Sequence, residues 1–242
     1  MKVTAIIPSR FESSRFRGKA LTEIKGKTMI QRVYNQVQKS GLIDTVYVAT
    51  DSNAINDSIR EIDGNVIMTS EKCSSGTDRV AEAARRLKLD MDDVIINIQG
   101  DQPFLPPKCL DDLVLAFTKE PGLAMGTLAH RMEDEAEINS PNNVKVIFDV
   151  NNFAIYFSRA RIPFNRDNKQ KFSYYKHIGI YAYSNSFLQE YTNLPYSVLE
   201  NIEKLEQLRA IENGQKIQIT VTEHDSPSVD DPADLEKITA LL

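Results

Sequence analysis

Four cations and three hydroxyls crowd one glycine near the start of the chain: Arg10, Arg15, Arg17 and Lys19, with Ser9, Ser13 and Ser14, surround Gly18. That set suits an anion with several charged oxygens, such as a triphosphate. Small side chains let backbone N–H groups approach the oxygens, and the cations offset their charge. A solvated basic loop would carry the same residues. The spacing fits neither G-x-x-x-x-G-K-S/T nor G-x-G-x-x-G, and the missing glycine fingerprint argues against an NAD-binding oxidoreductase. A second centre is Asp101, presented by Gly100 in the run QGDQP. A carboxylate beside a triphosphate reads as a Mg2+ ligand, since hard cations take oxygen ligands and bridge to phosphates. An Asp in an ordinary turn is the alternative.

Further groups stand elsewhere in the chain. Residues 74–79 (SSGTDR) put small and hydroxyl side chains at a helix start, with Asp78 or Thr77 as a candidate cap. This is either a capped helix or a loop that closes over a base or ribose through its backbone. On a strand, Tyr175, His177, Gly179 and Tyr181 share one face. Arg159 could add a carboxylate-binding fork to that face, whereas a lone His is more often structural. Glu206 and Gln207 lie in the middle of a helical pattern, where most polar residues are simply solvated. Asp230, just ahead of Asp231-Pro232, is a second candidate carboxylate.

The elements that must position these groups alternate. Residues 3–7 form an apolar strand that Pro8 ends. An amphipathic helix at 29–39, a strand at 46–50, a helix at 53–62 and a strand at 65–68 follow. The apolar run 94–98 reads as a strand buried on both faces, and it delivers Asp101 to its carboxyl end. This alternation predicts a parallel, doubly wound sheet, whose ligands bind at the carboxyl ends of its strands. A helix at 109–117 and a strand at 123–129 precede an acidic, solvated segment at 133–137. Residues 144–148 and 154–158, joined by a turn at 149–152, predict an antiparallel arm, and residues 175–183 a further strand. Residues 197–214 read as one long helix stopped by Gly214, then a strand at 216–221 and a last helix capped by Asp231.

A chain of 242 residues suffices for one large α/β domain. Its net charge of −5 argues against a general nucleic-acid binder, so any basic site is local. No apolar run approaches membrane-spanning length, and the start carries no signal-peptide pattern. Two cysteines without metal spacing, Cys73 and Cys109, fit a reducing cytoplasm.

Together the runs IPSRFESSRFRGKAL, SSGTDR, NIQGDQP, FSRARIP, KHIGIYAY, LENIEKLEQLRAIENG and SVDDPADL resemble, in order and from first strand to last helix, the 3-deoxy-manno-octulosonate (Kdo) cytidylyltransferases. The resemblance implies a Rossmann-like nucleotide-diphospho-sugar transferase fold: α/β, mostly parallel, one domain over residues 1–242. It implies an antiparallel arm, about residues 140–185, that forms a homodimer. The implied reaction is CTP + Kdo → CMP-Kdo + diphosphate with Mg2+, in the cytoplasm, for lipopolysaccharide or capsule. By position, Arg10 and Lys19 match phosphate-binding residues, with Pro8 and Ser13 in the same nucleotide-binding loop. Ser75, Thr77, Asp78 and Arg79 match the nucleotide side, and Asp101 and Asp230 the metal ligands. Arg10, Lys19, Asp101 and Asp230 form the implied catalytic set. Gln99, Arg159, His177, Tyr181, Glu206 and Gln207 match the sugar-acid pocket.

Four positions depart from the family pattern: Gln102 stands for Glu, Arg17 and Ala20 for Pro, and Arg161 for a smaller or neutral residue. The reaction type survives these changes, but the sugar acid stays open between Kdo, its 8-amino analogue and another acid. A non-catalytic nucleotide binder of the same fold is a further reading. The implied chemistry is in-line attack of the sugar's anomeric hydroxyl on the α-phosphorus, without a covalent enzyme intermediate; neither cysteine sits in a site motif.

Overall fold

Strand β1 (Val3–Ser9) is the axis around which the sheet is laid, and its residues show why the chain folds this way. Ala5 and Ile7 join one buried cluster with Ile30 and Val33, while Ile6 points the other way, to Val80 and Ala84. A strand covered on both faces must be apolar throughout. Truncating Ile6, which is fully buried, to Ala would cost about 2–5 kcal/mol.

The structure is a computed structural model that describes residues 1–11, 16, 18–120, 122–167, 169, 171–229 and 234. After β1 come β2 (Glu23–Ile24), β3 (Lys27–Thr28), α1 (Met29–Val37), β4 (Thr45–Thr50), α2 (Asn53–Arg60), β5 (Val66–Met68), α3 (Gly76–Arg86) and β6 (Val94–Asn97). Then follow α4 (Pro107–Lys119), β7 (Met125–Met132), α5 (Glu135–Asn139), β8 (Lys145–Phe148), β9 (Ala154–Ser158) and β10 (Tyr174–Ser184). The described elements close with α6 (Asn185–Tyr191), α7 (Val198–Glu203), α8 (Leu208–Glu212) and β11 (Ile217–Thr222). The expected last helix, with its Asp231 cap, lies outside the described residues.

The main sheet runs β11-β7-β10-β6-β1-β4-β5. Pairings are parallel from β6 through β1 and β4 to β5, and again between β7 and β11. Only β10 runs against the others on this path, antiparallel to both β6 and β7. The predicted arm is present: β8 and β9 form a hairpin, and β8 joins β10 through Lys145 and Lys176. Strand β10 therefore belongs to the arm at its start and to the centre of the sheet at its end.

Several expectations need correction. β1 does not end at Pro8. It continues to Ser9, because pairing with β6 stops at Ile6–Asn97 and no ladder bond on that side needs the missing N–H. A small hairpin, β2–β3, precedes α1, turned by Lys25 (φ 44°) and Gly26 (φ 75°). The acidic segment folds as α5, where Glu135 pairs with Arg161 at 2.7 Å. The cap of α3 is Ser75 rather than Thr77 or Asp78.

The long helix expected at 197–214 is broken. α7 ends at Lys204, which adopts the left-handed conformation (φ 55°, ψ 46°), and α8 starts at Leu208. The reason is a buried ion pair: Arg209 donates to both oxygens of Glu200, at 2.8 and 2.5 Å. In an unbroken helix these residues would sit on opposite faces, about 13.5 Å apart along the axis. The break lets them meet, and it turns residues 204–207 out of the helix.

Candidate active site

Two clefts meet at the carboxyl end of β6. The smaller, about 300 Å³, is lined by Pro8, Arg10, Lys19, Ser75 and Arg79, together with Gln99 and Asp101. The larger, about 760 Å³, is lined by Arg159, His177, Tyr181, Glu206 and Gln207, together with the same Gln99 and Asp101. Residues read as a nucleotide side and a sugar-acid side are thus gathered into adjoining hollows that share one carboxylate. Ser13 and Asp230 lie outside the described residues, as does Arg17.

The phosphate-loop side is shaped by close approaches. Gly18 takes a left-handed conformation (φ 71°) just before Lys19, and its N–H donates to the Phe11 carbonyl at 3.0 Å. Gly100 brings the β6 turn against β1, where an added Cβ would lie 3.4 Å from the Pro8 carbonyl oxygen. The Lys19 ammonium then reaches Asp101 Oδ2 at 2.7 Å. Both side chains are partly exposed, so this contact is replaceable by solvent or ligand.

The SSGTDR segment divides its labour. Ser75 Oγ accepts from the Asp78 N–H and Asp78 Oδ2 from the Ser75 N–H, each at 3.0 Å, a reciprocal cap on α3. Asp78 lines neither of the two clefts. The Arg79 guanidinium holds Asp51 Oδ2 and Thr69 Oγ1, both at 2.6 Å, and so ties the ends of β4 and β5 together. Thr77 opens into the larger cleft instead. Cys73, expected outside the site, lines the smaller cleft. Its thiol bonds Glu82 at 3.2 Å, and burial with that neighbour pushes its pKa up to about 11. It is a protonated wall residue, not a nucleophile.

In the larger cleft His177 is held neutral, because burial pushes its pKa down to about 3. Its Nε2 lies 3.0 Å from Thr127 Oγ1, which also contacts the Ile180 carbonyl at 2.7 Å and that of Ile178 at 3.2 Å. A hydroxyl has one proton, and carbonyls can only accept. The Thr127 proton therefore goes to a carbonyl, and His177 Nε2–H donates to Thr127. That leaves His177 Nδ1 as an acceptor with no partner among the described residues. A bulge in β10 between Ile178 and Tyr181 makes this possible by turning the Ile180 carbonyl toward Thr127. Tyr175 leaves the group and packs on Phe148, with ring centroids 5.0 Å apart.

Arg159 is anchored to backbone: Nε donates to the Glu203 carbonyl at 2.8 Å and NH1 to the Pro141 carbonyl at 3.0 Å. Glu206 and Gln207 are not solvated helix residues. The break at Lys204 puts them in the cleft, where Glu206 Oε1 and Gln207 Nε2 are buried with no partner among the described residues. Burial raises the Glu206 pKa, while a Thr77 hydrogen bond and the Arg209 charge oppose the rise. Such orphan groups are costly unless a ligand completes them. Gln102 is also buried in this cleft, with Oε1 unpartnered among the described residues. Arg161 is not in it; its guanidinium binds Glu135 and Tyr174 Oη.

Sequence reasoning missed Asn142, Asn143 and Lys176, which also line the larger cleft. The Pro-Asn-Asn run was the available signal. Lys176 bonds Asp225 at 2.6 Å, at the head of the 225–229 segment. That segment is fixed at its other end, where the Val229 N–H donates to the Asp101 carbonyl at 2.9 Å. Val229 immediately precedes Asp230 in the chain.

Comparison with known proteins bears on this geometry. The Cytidylyltransferase family model matches residues 4–217. A 3-deoxy-manno-octulosonate cytidylyltransferase of Desulfosudis oleivorans is 48% identical over 242 residues, covering 100% of this chain and 98% of that protein. An 8-amino-3,8-dideoxy-manno-octulosonate cytidylyltransferase of Shewanella pealeana is also 48% identical, over 243 residues, covering 100% and 99%. Among solved structures, CMP:2-keto-3-deoxy-manno-octonic acid synthetase complexed with CTP superposes with a TM-score of 0.94 at 39% identity, covering 100% of this chain and 98% of that one.

Proposed function

The chain belongs to the cytidylyltransferase family, and we propose that it transfers CMP from CTP to the anomeric hydroxyl of Kdo, releasing diphosphate. The observation that carries this reading is the junction of the two clefts at Asp101 and Gln99. A triphosphate beside Arg10 and Lys19 would present its α-phosphorus toward a sugar acid in the larger hollow. The chain's main task is to hold two anions together and to place the attacking hydroxyl in line. Lys19 neutralises phosphate charge, and Arg159, at the edge of the larger cleft, suits the sugar carboxylate. Glu206 Oε1, Gln207 Nε2 and His177 Nδ1, which have no partner among the described residues, offer groups for sugar hydroxyls.

Mg2+ fits this site. Asp101 already takes a cationic partner, the Lys19 ammonium, and Asp230 follows the residue bonded to its carbonyl. Mg2+ commonly takes one or two carboxylates and completes its shell from phosphate and water. Held by Asp101 and Asp230, the ion would supply Lewis-acid stabilisation of charge at the α-phosphate.

The same reaction on 8-amino-3,8-dideoxy-manno-octulosonate is the second reading, favoured by one feature. Gln102 Oε1 and Glu206 Oε1 both lack a partner among the described residues, and an ammonium would satisfy acceptors better than a hydroxyl. Diphosphate release from Mg2+-CTP, with Kdo and the amino sugar offered separately at equal concentration, tests both. Release with Kdo as the better acceptor supports the first reading, and preference for the amino sugar supports the second. Silence with both, alongside CTP binding, refutes transfer to either.

The proposal extends to a cytoplasmic homodimer supplying lipopolysaccharide or capsule assembly. Exposed apolar residues on the β8–β9 arm and α7 (Val150, Ile155, Val198, Ile202) support a dimer contact there. Light scattering on the purified chain, with an Ile155→Glu variant, checks it. No described helix is long and apolar enough to cross a membrane.

A further inference from the structure

Lys145 is a buried cation for which the proposed reaction has no stated use. It lies in β8 with no exposed surface. Its ammonium donates to the Ser140 carbonyl at 2.7 Å and the Asn143 carbonyl at 2.6 Å. Both partners are carbonyls, so the charge is solvated by backbone rather than neutralised by a carboxylate. Such a cation is expensive to bury. Burial and the nearby Arg159 charge both lower its pKa, with Glu203 opposing them.

Its partners show what it does. Residues 140–143 form a short loop, and Asn142 and Asn143 line the larger cleft. The same loop is gripped from the other side by Arg159, through the Pro141 carbonyl at 3.0 Å. Two cations therefore clamp one loop at the edge of the hollow. Among the described residues the carboxylate whose charge offsets Lys145 is Glu203, already bonded by Ser158 Oγ at 2.5 Å and the Arg159 N–H at 2.9 Å. Lys145 and Arg159 thus bring two positive charges to this edge of the cleft, against the Glu203 carboxylate behind it and Glu137 in its lining.

We propose that Lys145 is a positioning residue for the carboxylate of the acceptor: it fixes the 140–143 loop and, with Arg159, supplies the positive field that receives an acid group. This rests on the reading of the acceptor as a sugar acid. Lys145 does not touch the substrate. It acts through the loop carbonyls and through its charge. The field recognises a carboxylate on a polyol, not a neutral sugar.

The test compares Kdo with its C1 amide, titrated calorimetrically into the wild-type chain and into Lys145→Met. Circular dichroism verifies that the variant is folded. The variant should bind the acid about 10-fold more weakly, the size of loss expected for a charge that acts from behind the cleft wall rather than by contact. Its affinity for the amide should fall far less than that for the acid, through the loosened loop alone; its affinity for CTP should match the wild type, and the loss should appear in KM for the acid more than in kcat. Equal loss for acid and amide would reveal a merely structural lysine, and undiminished acid binding would remove any role; either result overturns the proposal. If Lys145→Met does not fold, hydrogen exchange in the wild type decides. The backbone N–H groups of Ser140, Asn142 and Asn143 should gain protection from the acid and not from its C1 amide, and no such difference refutes the idea. A wild-type chain that binds no sugar acid sinks the acceptor reading itself, and the wild-type titration alone reports that outcome.

Discussion

Replacing Arg209 with Met removes one half of the buried pair that breaks the 197–214 segment. Arg209 and Glu200 side chains are 4% and 9% exposed, so solvent cannot substitute for the lost partner. The guanidinium also lies over the rings of Tyr196 and Tyr191, at 4.4 and 5.2 Å. Leaving a buried carboxylate uncompensated costs about 3–5 kcal/mol. In a chain of this size each kcal/mol lowers Tm by about 2–4 °C, so the variant should melt about 6–20 °C below the wild type. The double variant Glu200→Leu/Arg209→Met removes both charges and should recover part of the loss. Thermal unfolding followed by circular dichroism measures both. The pair also fixes the residues between its partners, so KM for the sugar acid should rise while KM for CTP holds. If Arg209→Met melts within about 2 °C of the wild type, the ion pair does not enforce the break and the explanation given for it fails.

Asp101→Asn keeps the size and removes the charge; turnover should fall far more than CTP affinity, and an equal fall in both would count against a role in the chemical step. His177 has a folded pKa pushed below its unfolded value, so its stabilisation is complete above about pH 6.5 and is lost as pH falls toward 3, at up to about 1.4 kcal/mol per pH unit. Urea unfolding of His177→Gln should accordingly show a flatter acid limb than the wild type. Thr127→Val removes the acceptor for His177 Nε2–H, so the 15N shifts of the ring should report a changed tautomer, with a stability loss of about 1–3 kcal/mol. Unchanged shifts would mean that Thr127 does not set the tautomer.

The half of the fold from β1 to β6 was legible because its signals are local. Apolar runs such as 94–98 are long enough to be strands buried on both faces, and α1 announces its face by spacing. The candidate site positions stood out as an ordered set of short runs, although their grouping into two hollows is a matter of topology. Where local pattern and tertiary contact disagreed, the pattern misled. Leu199, Ile202, Leu205, Leu208 and Ile211 keep helical spacing across Lys204, yet a partner nine residues away along the chain overrides it. Glu206 and Gln207 looked solvated for the same reason. The β2–β3 hairpin is only two residues a side, too short for periodicity to register, and Lys25-Gly26 was its one clue. Arg161 stood out by type, but its placement on Glu135 depended on α5, a helix read as a solvated segment.

The contact between Lys19 and Asp101 lets the cleft supply its own counter-ions. In the proposed reaction, nucleotide arriving without metal would draw Lys19 away and leave Asp101 facing phosphate oxygens. Metal arriving without nucleotide would take Asp101 and set a second cation beside Lys19. Only the two together satisfy both side chains at one stroke, each trading its old partner for a new one. With Mg2+ held as proposed, loading would be a double exchange of ions rather than simple filling of a hole, and would favour the metal–nucleotide complex over either component. Re-forming the Lys19–Asp101 pair would then offset the loss of charge when diphosphate leaves.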